Sequence, residues 1–70
     1  MTYKSGDILT SKDIWTGAIR EYLVTKTTQK SVFYQCVKIG QMPISGEIRK
    51  VRPNENGELW AKNYVRLSKA

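Results

Sequence analysis

Arg49, Lys50, Arg52, Lys62 and Arg66 are fixed cations, and Trp60 and Tyr64 are flat aromatic groups set among them. In an extended segment, successive side chains point to opposite faces. Over Trp60-Ala61-Lys62-Asn63-Tyr64-Val65-Arg66-Leu67 this puts Trp60, Lys62, Tyr64 and Arg66 on one face. Ala61, Asn63, Val65 and Leu67 fall on the other, mostly apolar face. Such a stripe sets stacking surfaces beside charges that neutralise phosphate, the combination that holds single-stranded nucleic acid. Trp, Tyr and Arg also dominate the hot spots of protein interfaces, so a protein-binding face starts from the same residues.

Other chemistry finds little support. Histidine is absent, which removes the commonest general base at neutral pH and the commonest metal ligand. Cys36 is the only cysteine, so neither an intrachain disulfide nor a thiolate zinc site can form. In its apolar run it reads as a small core residue. The acids Asp7, Asp13, Glu21, Glu47, Glu55 and Glu58 form no close pair along the chain with a catalytic partner. The expectation is a protein that is not an enzyme and holds neither cofactor nor metal.

Twelve Lys and Arg stand against six acids, for a net charge of +6. Residues 1–35 carry five cations and three acids, and residues 36–70 carry seven and three, so the excess lies toward the C-terminal half. Its densest point is Arg49, Lys50 and Arg52. A positive field attracts nucleic acid, acidic protein or anionic membrane, or simply keeps a small protein in solution. No apolar run approaches the roughly 20 residues needed to cross a bilayer. The segment Met1-Thr2-Tyr3-Lys4-Ser5-Gly6 has no apolar core of a signal peptide. A cytoplasmic location is therefore expected, in accord with a single free cysteine.

The elements that must position these residues are strands. Lys4-Ser5-Gly6-Asp7 signals a turn, with Asp7 as a turn former, and Ile8-Leu9-Thr10 a short strand. Residues 11–18 read as a loop in which Trp15 acts as a lid on the core. A helix over this stretch is the competing reading, because Trp15, Ala18, Ile19 and Tyr22 sit at helical spacing. Ile19 to Thr27 and Ser31 to Ile39 flank Thr28-Gln29-Lys30 and are rich in Val, Thr, Tyr and Phe, which predicts a β-hairpin. Tyr34 shares a face with Lys38 and would extend a binding surface if Phe33, Val37 and Ile39 point inward. Ile44 to Val51 resumes the pattern after Gly40 and Pro43, with Gly46 allowing a bulge. Pro53-Asn54-Glu55-Asn56-Gly57 is the strongest turn, and Leu59 to Leu67 closes the pattern. Val24, Val37, Ile48, Val65 and Leu67 are the expected core. Five short strands in 1–70, taken as one domain, predict a small antiparallel barrel. A domain of this size buries only about 60% of the surface its unfolded chain exposes.

Two segments resemble the Src-homology-3 fold family. Lys4-Ser5-Gly6-Asp7-Ile8-Leu9 is similar to the family's lysine–glycine–aspartate–aliphatic segment. Gly57-Glu58-Leu59-Trp60-Ala61-Lys62-Asn63-Tyr64-Val65-Arg66-Leu67 is similar to its closing segment, where a tight helical turn carries Asn-Tyr-Val into the last strand. Together they cover about a quarter of the chain, in the right order. The ending is more like that of bacterial relatives of the fold than of signalling domains. The resemblance implies a five-stranded barrel with Asn63 and Tyr64 on the ligand face and Val65 in the core. The paired tryptophans and the Ala-Leu-Tyr-Asp-Tyr opening that build the family's polyproline groove are missing, with Tyr3 as the one candidate remnant.

The sequence thus predicts an all-β, small five-stranded antiparallel Src-homology-3-like barrel serving as a non-enzymatic binding module. Nucleic acid is the first choice of partner, held by Arg49, Lys50, Arg52, Lys62 and Arg66 and stacked or packed by Trp60 and Tyr64. Sequence specificity is expected to be weak, because no helix for the major groove is evident. The alternative is a protein-interaction module, an adaptor or a small inhibitor of phage or mobile-element kind, whose partner is an acidic or nucleic-acid-binding protein; no membrane partner is expected. A third reading is a homo-oligomer whose ligand site forms at a symmetry axis.

Overall fold

Short runs of β-branched and aromatic residues, cut by Gly, Pro and Asn turns, form seven strands: β1 (Ile8–Lys12), β2 (Ile19–Thr27), β3 (Val32–Ile39), β4 (Met42–Pro43), β5 (Ile48–Val51), β6 (Leu59–Lys62) and β7 (Val65–Lys69). The computed structural model describes residues 3–62 and 65–69, with the backbone alone at Lys62. Among the described residues there is no helix, and every strand pairing is antiparallel.

The strands follow the order β4-β3-β2-β1-β7-β6, and β5 also pairs with β3. β4 and β5 share one edge of β3: β5 runs along Val32–Gln35, and β4 along Lys38 and Ile39. The sheet curls into a half-barrel that does not close, since β5 and β6 are not hydrogen-bonded to each other. Two expectations are corrected here, the strand count and the closure. Gly40, at φ +59°, turns the chain back on β3 and creates the two-residue β4. Gly46 then interrupts the next run: its N–H donates to the Cys36 carbonyl at 3.0 Å, and a Cβ there would meet that oxygen at 3.1 Å. The closing segment divides into β6 and β7, which pair antiparallel rather than forming one strand. Asn63 and Tyr64, and with them the ligand-face expectation, lie outside the described residues.

Leu9, Tyr22, Val24, Val32, Tyr34, Leu59 and Leu67 form the core on the concave side. The Tyr22 and Tyr34 rings meet edge-to-face at 5.5 Å and 82°, and the Tyr22 and Ser11 hydroxyls share a hydrogen bond of 3.2 Å. Val24 and Leu67 are buried as expected; Val37 and Val65 are only half-buried, Val65 packing against the core. Ile48 is 60% exposed. Val51 is the residue of β5 that packs on the core, so alternation turns Ile48 and Lys50 outward. Tyr34 points in rather than out, because it pairs with Val24 and stacks on Tyr22, leaving Phe33 on the other face. Cys36 is a half-buried free thiol against the core.

The Asp7 turn forms as the sequence suggests: Asp7 Oδ2 accepts from the Lys4 N–H at 2.9 Å, and Gly6 supplies φ +96°. β1 runs on to Lys12, two residues beyond expectation, and residues 14–16 make a tight turn into β2. Trp15, expected to cover the core, is 88% exposed. The hydrogen bonds of that turn hold its tip away from the sheet.

Candidate nucleic-acid interface

Hairpin register builds a row of three side chains on the outer face. Counting back from the turn that joins β2 to β3, Thr27 pairs with Val32 and Lys26 with Phe33; across β3, Phe33 pairs with Lys50. Phe33 on a central strand is thus flanked by one cation on each neighbouring strand, and Lys26 Nζ stands 5.6 Å from its ring centroid. Two more cations lie at the same end of the sheet. Lys30 and Arg52 line a shallow hollow with Gln29 and Pro53. The Lys30 turn is held by Thr28, whose hydroxyl oxygen accepts from the N–H groups of Lys30 at 3.4 Å and Ser31 at 3.1 Å.

These four cations differ from most others on the surface. Arg20, Lys38, Arg49, Arg66 and Lys69 each face a carboxylate, at 3.9, 3.6, 3.7, 3.3 and 3.5 Å respectively. Lys26, Lys30, Lys50 and Arg52 make no ion pair among the described residues. Their field is therefore not cancelled locally and is available to an anion.

The expected site residues divide among three places. Lys50 and Arg52 join the row and the hollow just described. Arg49 turns to the concave side with Tyr34, its strand partner, and faces Glu47. There it helps line a groove with Arg20, Tyr22, Tyr34, Cys36 and Val65. Burial, and then the neighbouring Tyr22, push the Tyr34 hydroxyl above its ordinary pKa. Trp60 and Arg66 do come side by side, but as cross-strand partners of the β6–β7 hairpin, not along one strand. Trp60 is 37% exposed, and its indole N–H donates to Glu58 Oε1 at 3.4 Å. The same carboxylate takes Arg66 at 3.3 Å, so Glu58 offsets the Arg66 charge. The Lys62 side chain and Tyr64 lie outside the described residues. Sequence reading missed Lys26, Lys30 and Phe33. Counting outward from Thr28-Gln29-Lys30 as the turn pairs Lys26 with Val32, one residue out of register. The turn is Gln29-Lys30, closed by the Thr28 N–H donating to the Ser31 carbonyl at 2.9 Å, and only that count gives Lys26–Phe33.

Three carboxylates are held below their usual pKa. For Asp13 the main cause is the Trp15 backbone N–H, for Asp7 that of Lys4, and for Glu58 the side-chain amide of Asn54. A carboxyl whose pKa is lower folded than unfolded stabilises the folded state above its unfolded value, and that contribution is lost as pH falls through the folded one. Unfolding free energy should accordingly hold steady above about pH 5 and fall below about pH 4. Asp13→Asn should flatten part of that slope, since an amide oxygen still accepts the turn hydrogen bonds but does not titrate in this range. Urea titrations at pH 2.5 to 7 check this; equal slopes for the two proteins would contradict it.

Among the described residues no three Cys, Asp or Glu side chains gather as metal ligands, and no helix is long and apolar enough to cross a membrane. Comparisons with protein-family models, curated proteins and solved structures return no match.

Proposed function

We propose that this chain is a non-enzymatic binding module that takes nucleic acid on the outer face of β2, β3 and β5, with little preference for sequence. The observation that supports it is the in-register row Lys26–Phe33–Lys50, joined by Lys30 and Arg52, with all four cations free of carboxylate partners among the described residues. Cations on both sides of a half-buried ring suit a backbone that runs past while a base rests on the aromatic surface. Among the described residues there is no helix to enter a groove and read base edges, so backbone charge dominates the affinity. The curled antiparallel sheet fits a Src-homology-3-like architecture, which hosts nucleic-acid binders and protein adaptors alike. The free thiol of Cys36 fits a reducing, cytoplasmic setting.

The test is fluorescence anisotropy with labelled single- and double-stranded DNA and RNA between about 50 and 200 mM salt. Affinity should fall steeply with salt, as phosphate neutralisation releases condensed counterions. No binding to any of the four probes at the lowest salt rejects the proposal. One observation favours the second reading, a protein-interaction module such as an adaptor or small inhibitor. Ile8, Leu23, Gln35 and Ile48 form a second, uncharged row beside the first, with Ile48 60% exposed. Capture of a defined protein that survives nuclease treatment and depends on Ile48 would favour it.

A further inference from the structure

The turn between β1 and β2 carries the two most exposed large apolar side chains among the described residues, Ile14 at 77% and Trp15 at 88%. The turn that presents them is rigidly tied. Asp13 Oδ1 accepts from the N–H of Trp15 at 2.8 Å and of Thr16 at 3.4 Å. The Gly17 N–H donates to the Asp13 carbonyl at 2.8 Å, the Asp13 N–H to the Ala18 carbonyl at 2.9 Å, and Gly17 takes φ +75°. Arg20 braces Asp13 from β2 at 3.9 Å. An aromatic anchor fixed in this way loses little conformational freedom on binding.

Beside the tip lies a cavity of about 180 Å³, lined by Ser11, Arg20, Tyr22 and Val65 and walled by the tip itself. An indole ring displaces roughly the volume of four or five liquid waters at about 30 Å³ each, so the cavity is large enough for one. A projecting knob and a hole of matching size on the same surface are what a two-fold contact requires, because each copy presents the same patch to the other. The rim carries both signs, with Lys12 and Arg20 near Asp13, so two copies related by a two-fold axis can set cation against carboxylate. Ile14 and Trp15 alone leave on the order of 400 Å² of apolar surface in water, the size of the largest patch on a typical monomer. Covering two such patches and their cavity rims removes on the order of 1,000 Å², the lower bound for a specific interface.

We infer that the chain self-associates as a two-fold dimer, with Trp15 of each copy seated in the cavity of the other against Tyr22 and Val65. The Arg20 guanidinium lies beside the incoming indole, where a cation–π contact adds to the apolar burial. The tip and the basic row sit at opposite ends of the nine-residue β2, in a molecule 33 Å long. The dimer therefore holds its two basic faces outward and apart. This inference rests on the tip and its cavity, not on the nucleic-acid reading.

Sedimentation velocity without nucleic acid, over about 5 to 500 µM, tests it, an interface this small being expected to dissociate in the micromolar range. A concentration-dependent monomer–dimer equilibrium is expected. Trp15→Ala should raise the dissociation constant by about thirtyfold or more, as loss of a hot-spot anchor does. Circular dichroism and the urea midpoint of Trp15→Ala, taken at a concentration below the dissociation constant where both proteins are monomers, should match the parent, because the ring makes no core contact. Ile48→Ala, on the outer face, should leave the dimer intact. A monomer throughout, or a dimer that survives Trp15→Ala, overturns the inference; the first outcome leaves the tip to a different protein.

Discussion

Leu9→Ala is expected to lower the unfolding free energy by about 2–5 kcal/mol, through lost burial and the cavity left behind. Leu9 is fully buried and pairs on both sides, with Tyr22 of β2 and Lys69 of β7. It therefore sits where the two halves of the curled sheet join, and neither neighbour can move into the space without breaking a ladder. A chain of this size has roughly 4–10 kcal/mol in all, so the substitution removes about a fifth of the stability or more. At about 4–8 °C per kcal/mol, the thermal midpoint should fall by at least about 8 °C. Ile48→Ala is the internal contrast: the same class of truncation at a 60% exposed site should change stability by less than about 0.5 kcal/mol. Paired urea and thermal unfolding curves measure both. Equal losses at the two positions would mean that the core assignment is wrong.

That contrast also marks what the sequence could specify. Strand existence was legible, because β-branched and aromatic runs alternate with strong turn formers, and the Asp7 and Asn54–Gly57 turns form where their residue types require. In the latter, Asn54 Oδ1 accepts from the N–H groups of Asn56 and Glu58, both at 2.9 Å, and Gly57 takes φ +78°. Face assignment was less legible. β2 and β3 are apolar on both sides, so period-two alternation alone could not say whether Tyr34 or Phe33 points inward; the Tyr22–Tyr34 packing decides it. Residues 44–47 lie outside any strand and β5 begins only at Ile48, so a run read from Ile44 to Val51 does not fix which face Ile48 takes. The closing segment misled in a different way. Trp60 and Arg66 share a face whether they lie six residues apart on one strand, about 20 Å from each other, or opposite each other in a hairpin, where they are neighbours. The sequence pattern is the same, and only pairing distinguishes the two. Compensation by Glu58 was invisible for the same reason, because its contact with Arg66 exists only across that hairpin. Net charge was readable from composition, whereas which cations stay unpaired depends on where the fold puts the six acids.

A variant in which Lys26, Lys30, Lys50 and Arg52 are all changed to Ala should lose most of its affinity for single-stranded nucleic acid. Its salt dependence should fall by about three units in the log–log slope, at about 0.7 units for each phosphate contact removed. Between 50 and 200 mM salt, those three units amount to a difference of roughly fiftyfold in how far affinity drops. The control changes Lys12, Lys38, Arg66 and Lys69 to Ala, which removes the same four charges from the +6 total. Three of those cations already face carboxylates, and an exposed pair contributes little field beyond its own contact. If binding were governed by net charge alone, the two variants would behave alike, and equal salt slopes would refute the assignment of the face. If the row is the site, only the first variant flattens the slope. Phe33→Leu then separates stacking from charge. It keeps an apolar side chain between Lys26 and Lys50 but removes the ring. Affinity should weaken by about 1–3 kcal/mol if a base rests there, while the salt slope stays that of the parent. Trp60→Ala gives the same readout for the hairpin patch, where the indole is tied to Glu58. A stacking loss at Trp60 with none at Phe33 would move the site to that hairpin and restore Arg66 to it.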